Sequence, residues 1–191
     1  LGKDSMKLSG SIRLPSSKSI SNRLLILNAL AGEEGELKNL SESDDTAVLI
    51  KALGSGEGII DIGHAGTAMR FLTAYLSLKP GTYTLTGSKR MQQRPIGELV
   101  DALKSLGADI RYLKNEGYPP LDIRGRELNG GMINIDSSIS SQYISALMMI
   151  GPSLKKGLSI QLENEAVSYS YIHLTGKLMH EMGIPASIKG K

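Results

Sequence analysis

Ile96 to Leu113 reads IGELVDALKSLGADIRYL, which is a helix, its stop and a strand written in succession. Leu99, Val100, Leu103 and Leu106 recur at the spacing that gathers apolar side chains on one helical face. Gly107 follows as the stop, because glycine takes the backbone conformation that ends a helix without steric cost. Pro95, just ahead, falls where a first helical residue belongs, since its missing N–H has no partner there anyway. Two further stretches take the same form: Thr46 to Ile62 (TAVLIKALGSGEGIIDI) and Ile172 to Ile188 (IHLTGKLMHEMGIPASI). Asp44 and Asp45 stand before the first of them, where a helix N-terminus favours negative charge.

Each stretch is led by a β-like run and a polar loop, and twice by an apolar helix as well. The first leader is Gly10 to Leu14, then PSSKS, then SNRLLILNALA; the third is Met132 to Asp136, then SSISS, then QYISALMMIG. The middle one is Tyr83 to Thr86, then GSKRMQQR, running directly into the helix. The pattern predicts an α/β chain of three divergent βαβαββ units. Leu24 to Leu30, Thr67 to Leu78 and Tyr143 to Ile150 are apolar on nearly every face, which predicts helices covered all round. Buried helices with sheets outside them satisfy this pattern, and so does a doubly wound sheet. Periodicity does not choose between them.

Composition narrows the function. The 191 residues suffice for one core, or two small ones that share contacts. With 40% apolar and 21% charged residues, the chain is not disordered. It has no cysteine, so disulfides, thiolate metal sites and cysteine nucleophiles are excluded, and a reducing compartment is permitted. No apolar run approaches the ~18 residues of a membrane span, and Leu1 to Lys7 lacks the apolar stretch of a signal peptide. A net charge of +3 with one Phe and no Trp argues against a nucleic-acid interface, which needs a basic patch and stacking rings. Leu at position 1 and the stop at Gly190-Lys191 read as cuts in a longer protein, with residues 1–191 forming one globular lobe.

The polar loops are where chemistry is expected. Pro15-Ser-Ser-Lys-Ser-Ile-Ser-Asn-Arg23 places hydroxyls, free helix N–H groups and Lys18 together, a combination that attracts anions. Ser19 and Arg23 are i and i+4, so Arg23 can add a bidentate fork from the same face. Helix capping alone would explain the serines but not the lysine. Gly63-His-Ala-Gly-Thr-Ala-Met-Arg70 opens another helix: Gly66 permits close backbone approach, Thr67 can cap, and Arg70 can pair with an acidic neighbour. Lys89, Arg90 and Arg94 share one loop, which either meets an anion or is solvated. Ser137 to Gln142, SSISSQ, repeats the hydroxyl pattern before a third helix.

PSSKSISNR, AGTAMR, RMQQRPIGELVDAL and SSISSQYISALMM, in that order, resemble the signature segments of EPSP synthases, the 3-phosphoshikimate 1-carboxyvinyltransferases. The resemblance runs from about Leu8 to the end. A related enzyme, UDP-N-acetylglucosamine 1-carboxyvinyltransferase, typically has Asn after the loop lysine and a cysteine further on; here Ser19 follows Lys18 and cysteine is absent. The resemblance implies an inverted barrel-like lobe with buried helices and sheets outside, one of two lobes that close on both substrates. The second lobe would then be absent from this chain.

The resemblance also implies roles. Lys18 would reach both substrates and take part in catalysis. Ser19, Arg23, Ser140, Ser141, Gln142 and Ser168 would hold shikimate 3-phosphate, with Tyr171 packed nearby. Gly66, Arg94, Gln142 and Lys18 would hold phosphoenolpyruvate. The family usually carries Asn where His64 stands, and Ser-basic-Pro-Tyr where this chain reads Ser168-Tyr-Ser-Tyr171. No metal or organic cofactor is implied, and the expected partners are the two small substrates and the missing lobe, in a cytoplasmic monomer. Two rivals from other classes remain at this point: a stand-alone phosphate-binding module, and a nucleic-acid-binding domain built on similar units.

Overall fold

The computed structural model describes residues 10–12, 14–32, 35–136, 140–163 and 168–188. Helix α1 (Lys18–Leu30) starts where the Ser17 hydroxyl accepts the Ile20 N–H at 3.4 Å. Helix α2 (Asp44–Leu53) starts in the same way, with Ser43 accepting from Thr46 and Asp44 and Asp45 in the first turn. Strand β1 (Gly58–Asp61), α3 (Gly66–Leu78) and β2 (Gly81–Thr86) then form a parallel crossover. Helix α4 (Gly97–Ser105) buries Leu99, Val100 and Leu103, as the spacing predicts, and leads into β3 (Asp109–Tyr112) and β4 (Leu121–Gly125). Strand β4 runs antiparallel to both β3 and β2, so the sheet order is β1-β2-β4-β3.

That run is one whole βαβαββ unit. Strand β5 (Gly131–Ile135), α5 (Ser141–Ile150), β6 (Leu158–Leu162) and α6 (Tyr169–Glu181) repeat its first four elements, with β5 and β6 parallel. The remaining β-like runs differ from expectation. The described part of Gly10 to Leu14 forms no strand, and neither does Ile184 to Ile188. A strand needs a ladder partner, and no described strand runs beside either segment. Ile12 and Leu14 are consequently 85% and 80% exposed. Pro95 also differs: α4 begins at Gly97, two residues later than the proline rule predicts.

The sheet settles the architecture. Ile60, Tyr83, Leu85, Ile110, Leu121 and Ile123 are buried, while Thr82, Arg111 and Arg124 between them are exposed. Tyr83 lies opposite Ile123 and Leu85 opposite Leu121, so one face is a continuous apolar layer. A doubly wound sheet would have helices on both faces. Here one face is covered and the other is wet.

Helices α3 and α5 fill the space behind that layer and pack on each other. Phe71 and Leu72 of α3 and Leu147 and Ile150 of α5 have no exposure. Helix α1, expected to be covered all round, buries only one face, including Ile26 and Leu27; Leu24, Leu25 and Leu30 are half-buried. Its neighbours α2, α3, α5 and α6 all lie against that one side. No described helix is long and apolar enough to cross a membrane.

Candidate active site

Four helices begin at one place. The first turns of α1, α3 and α5 and the start of α6 line a polar cleft of about 390 Å³. Helix α1 contributes Lys18 and Ser19, with Arg23 one turn further in; α3 contributes Thr67. Ser140, Ser141 and Gln142 come from α5, and Ser168 and Tyr171 from α6. Each helix end carries partial positive charge and unpaired N–H groups, and these add to two formal cations. No carboxylate or histidine is among the described lining side chains. The arrangement favours an anion rich in oxygen.

Arg23 is the fixed cation, 2% exposed. Its Nε donates to Thr175 Oγ1 at 2.7 Å, one Nη to the Ser19 carbonyl at 2.9 Å and the other to Ser145 Oγ at 3.0 Å. The Thr175 hydroxyl lies 2.8 Å from the Tyr171 carbonyl and 2.9 Å from Ser145, which closes the network. The guanidinium sits between the Phe71 and Tyr171 rings, 5.4 and 5.6 Å from their centroids. Burial pushes its pKa down to about 10, with Tyr171 opposing the shift. Neutral hydroxyls and carbonyls hold Arg23, so the positive charge is left for a ligand.

Lys18 is the exposed cation. Its side chain is 47% exposed, and Nζ lies 3.2 Å from an Asp45 carboxylate oxygen at the start of α2. Ser140 caps α5, its hydroxyl accepting the Gln142 N–H at 3.3 Å. Gln142 Nε2 reaches Thr67 Oγ1 at 3.4 Å and so ties α5 to α3 across the cleft floor. Ser168 has a left-handed backbone, φ +64°. A non-glycine residue held there is strained, and such residues cluster where a side chain must be aimed.

Gly66 and Arg94 lie beside this cleft rather than in its lining. A Cβ at Gly66 would run into the Arg94 guanidinium, whose Cζ would be 3.0 Å away. Glycine is therefore what lets Arg94 lie over the first turn of α3. Helix α3 has no side-chain cap: Ala65 occupies that position, and Thr67 turns to Gln142 instead of capping. Arg70, read as able to pair with an acidic neighbour, instead meets the Gly66 and Pro95 carbonyls, the Met91 thioether and the Tyr143 hydroxyl. Burial, the largest cause, lowers its pKa; nearby Arg94 lowers it further, and Tyr143 opposes the shift. Lys89 and Arg90 are exposed in the adjoining loop and belong to no described ion pair. His64 is exposed as well, with Nδ1 2.8 Å from Ser88 Oγ, joining two loops outside the cleft.

Sequence reasoning thus reached Lys18, Ser19, Arg23, Ser140, Ser141, Gln142 and Ser168, all of which meet in one cleft, and the neighbouring pair Gly66 and Arg94. It missed Ser145 and Thr175, and it read Thr67 only as a cap. Ser137 and Ser138, at the start of the third polar loop, lie outside the described residues.

The model of the EPSP synthase (3-phosphoshikimate 1-carboxyvinyltransferase) family matches residues 3–57 and 53–191. The chain belongs to the EPSP synthase family. A Bacteroides fragilis 3-phosphoshikimate 1-carboxyvinyltransferase (strain YCH46) is 59% identical over 181 residues, which cover 95% of this chain and 44% of that protein. The Shewanella amazonensis protein of the same name is 45% identical over 204 aligned positions, covering 93% of this chain and 48% of its own length. An EPSP synthase structure from Acinetobacter baumannii superposes with a TM-score of 0.79 at 21% identity, over 95% of this chain and 46% of that one. The chain thus spans about half the length of these EPSP synthases, and its fold is theirs over that half.

Proposed function

We propose that this chain is one lobe of a 3-phosphoshikimate 1-carboxyvinyltransferase, carrying the shikimate 3-phosphate site and part of the phosphoenolpyruvate site. The observation that carries this reading is the cleft where four helix N-termini meet around Arg23, which is cationic, lined with hydroxyls and, among the described residues, free of carboxylates. The 3-phosphate suits Ser140, Ser141 and Ser168, and Arg23 suits the ring carboxylate. Arg94 and the Gly66 backbone suit phosphoenolpyruvate next door, with Gln142 between the two. We place the reaction in the cytoplasm and read the enzyme as a monomer; the cysteine-free composition fits a reducing compartment.

In this reaction a proton adds to the methylene carbon of phosphoenolpyruvate, leaving positive charge on the adjacent carbon. The 5-hydroxyl oxygen attacks that carbon and loses its proton. Phosphate then departs as the methyl group formed in the first step loses a proton, restoring the double bond on the transferred group. In this reading Lys18 leaves Asp45 and meets the phosphate between the two substrates. Cations and helix ends offset charge on both phosphates, while the three proton transfers need groups with accessible pKa values. Among the described lining residues no carboxylate or histidine stands beside Lys18, so further acid–base groups must come from outside the described cleft.

The test is thermal unfolding of this chain with millimolar shikimate 3-phosphate. Ligand at ten times its Kd stabilises by about 1.4 kcal/mol through mass action, so Tm is expected to rise. The rise should shrink with added salt and largely vanish in the Ser140→Ala/Ser141→Ala double variant. A folded chain whose Tm ignores saturating ligand at low salt would remove the proposal.

A further inference from the structure

Among the described residues, Arg23 and Arg70 are the buried cations. The cleft explains Arg23. It does not explain Arg70, which is 4% exposed, lies outside the cleft lining and has no carboxylate partner among the described ion pairs. Burying a guanidinium without a counter-anion is unfavourable, and two carbonyl bonds offset only part of that. What they gain is geometry. One Nη donates to the Gly66 carbonyl at 3.2 Å and the other to the Pro95 carbonyl at 2.9 Å. Tyr143 of α5 donates to the same Pro95 carbonyl at 2.7 Å. A rigid fork therefore fixes the spacing between the first turn of α3 and the loop that ends in Arg94-Pro95.

Arg94 has no described ion pair or side-chain hydrogen bond of its own. Its place is set by the backbone on either side of it, with Gly66 as its floor. A long, exposed side chain with no partners is otherwise free to wander. We propose that Arg70, seconded by Tyr143, is the positioning residue that seats Arg94 over Gly66 for the carboxylate or phosphate of phosphoenolpyruvate. Arg70 touches no substrate and acts through the Gly66 and Pro95 carbonyls. The two guanidiniums are also near enough to repel, a repulsion that an entering anion would offset. This inference rests on the assignment of Arg94 to phosphoenolpyruvate made above.

The experiment uses the complete enzyme carrying this chain, with KM for each substrate, kcat, and equilibrium dialysis of phosphoenolpyruvate in the presence of shikimate 3-phosphate. Arg70→Lys keeps the charge but loses the planar fork. Its KM and dialysis Kd for phosphoenolpyruvate should rise roughly tenfold, as expected for a displaced binding group. KM for shikimate 3-phosphate should stay within about twofold. Tyr143→Phe, which removes one of two bonds to the Pro95 carbonyl and no charge, should move phosphoenolpyruvate in the same direction by about threefold. Unchanged phosphoenolpyruvate binding in folded Tyr143→Phe and Arg70→Lys would overturn the proposal, as would equal losses for both substrates. Arg94→Ala separates the two layers. If it leaves phosphoenolpyruvate binding intact, the underlying assignment fails; if it weakens that binding while the Arg70 and Tyr143 variants do not, only the positioning role fails.

Discussion

Arg23 pays for function with stability. Burial lowers its pKa from the usual guanidinium range to about 10, which corresponds to an unfavourable contribution on the order of 3 kcal/mol while it stays charged. The sign follows from the depressed value: the folded state binds fewer protons above about pH 10, so the cost lifts only there and is fully present through the neutral range. Replacing a buried charge by an apolar side chain of similar volume is often neutral or stabilising by about 1–4 kcal/mol. Arg23→Met leaves Thr175 and Ser145 bonded to each other and to the Tyr171 carbonyl. Urea unfolding of this variant at neutral pH is expected to give equal or greater stability, with the shift caused by shikimate 3-phosphate abolished. A large stability loss would mean that Arg23 is a structural brace. Asp45 makes the opposite test. Its exposed bridge to Lys18 is worth at most about 1 kcal/mol, so Asp45→Asn should barely change unfolding while anion binding at low salt tightens about two- to fivefold. Weaker binding would show that Asp45 aims Lys18 rather than restrains it.

At the scale of elements, the tightest joint lies between β4 and the end of α3. A Cβ on Gly125 would collide with the Lys79 carbonyl, and it would stand 2.6 Å from the Leu76 carbonyl. Both obstacles are backbone, so neither can swing aside. Gly125→Ala should lower stability by about 1–3 kcal/mol, measured as a fall in the urea midpoint with its slope unchanged. The sequence around Gly125 says nothing of this, because the collision arises only once the sheet lies on α3. The same limit explains which site residues were legible. Ser17 is read from capping rules, since the hydroxyl and its N–H are three residues apart. The serines of SSISSQ stand out because they precede an apolar helix, and Lys18 because capping does not need it. Thr175 and Ser145 sit mid-helix and meet Arg23 from 152 and 122 residues away. A hydroxyl in that setting looks like any other until α1, α5 and α6 are side by side. The strand expected from Gly10 to Leu14 failed for a related reason: alternation signals a strand only where a partner is present to pair with it.

For the whole molecule, binding and turnover should separate. The seven residues proposed for shikimate 3-phosphate line one cleft, whereas no carboxylate or histidine is among its described lining residues. The isolated chain is expected to bind shikimate 3-phosphate in calorimetry and to release no phosphate in a steady-state assay. Adding the C-terminal remainder of the Bacteroides fragilis relative, which is more than half of that protein, should restore turnover if the two pieces associate. Steady turnover by the chain alone would refute the division of labour.

The convergence of four helix ends bears on how such a site can change over time. Much of its attraction for anions resides in peptide groups, which every residue type supplies alike. Point mutation can delete Lys18 or Arg23 but cannot delete that backbone contribution without unwinding a helix. The hydroxyls and cations at the rim are thus free to drift, trading one oxyanion for another, while the pull on negative charge persists beneath them. A lineage built on this scaffold would diversify in which acid it selects long before it lost the capacity to hold one.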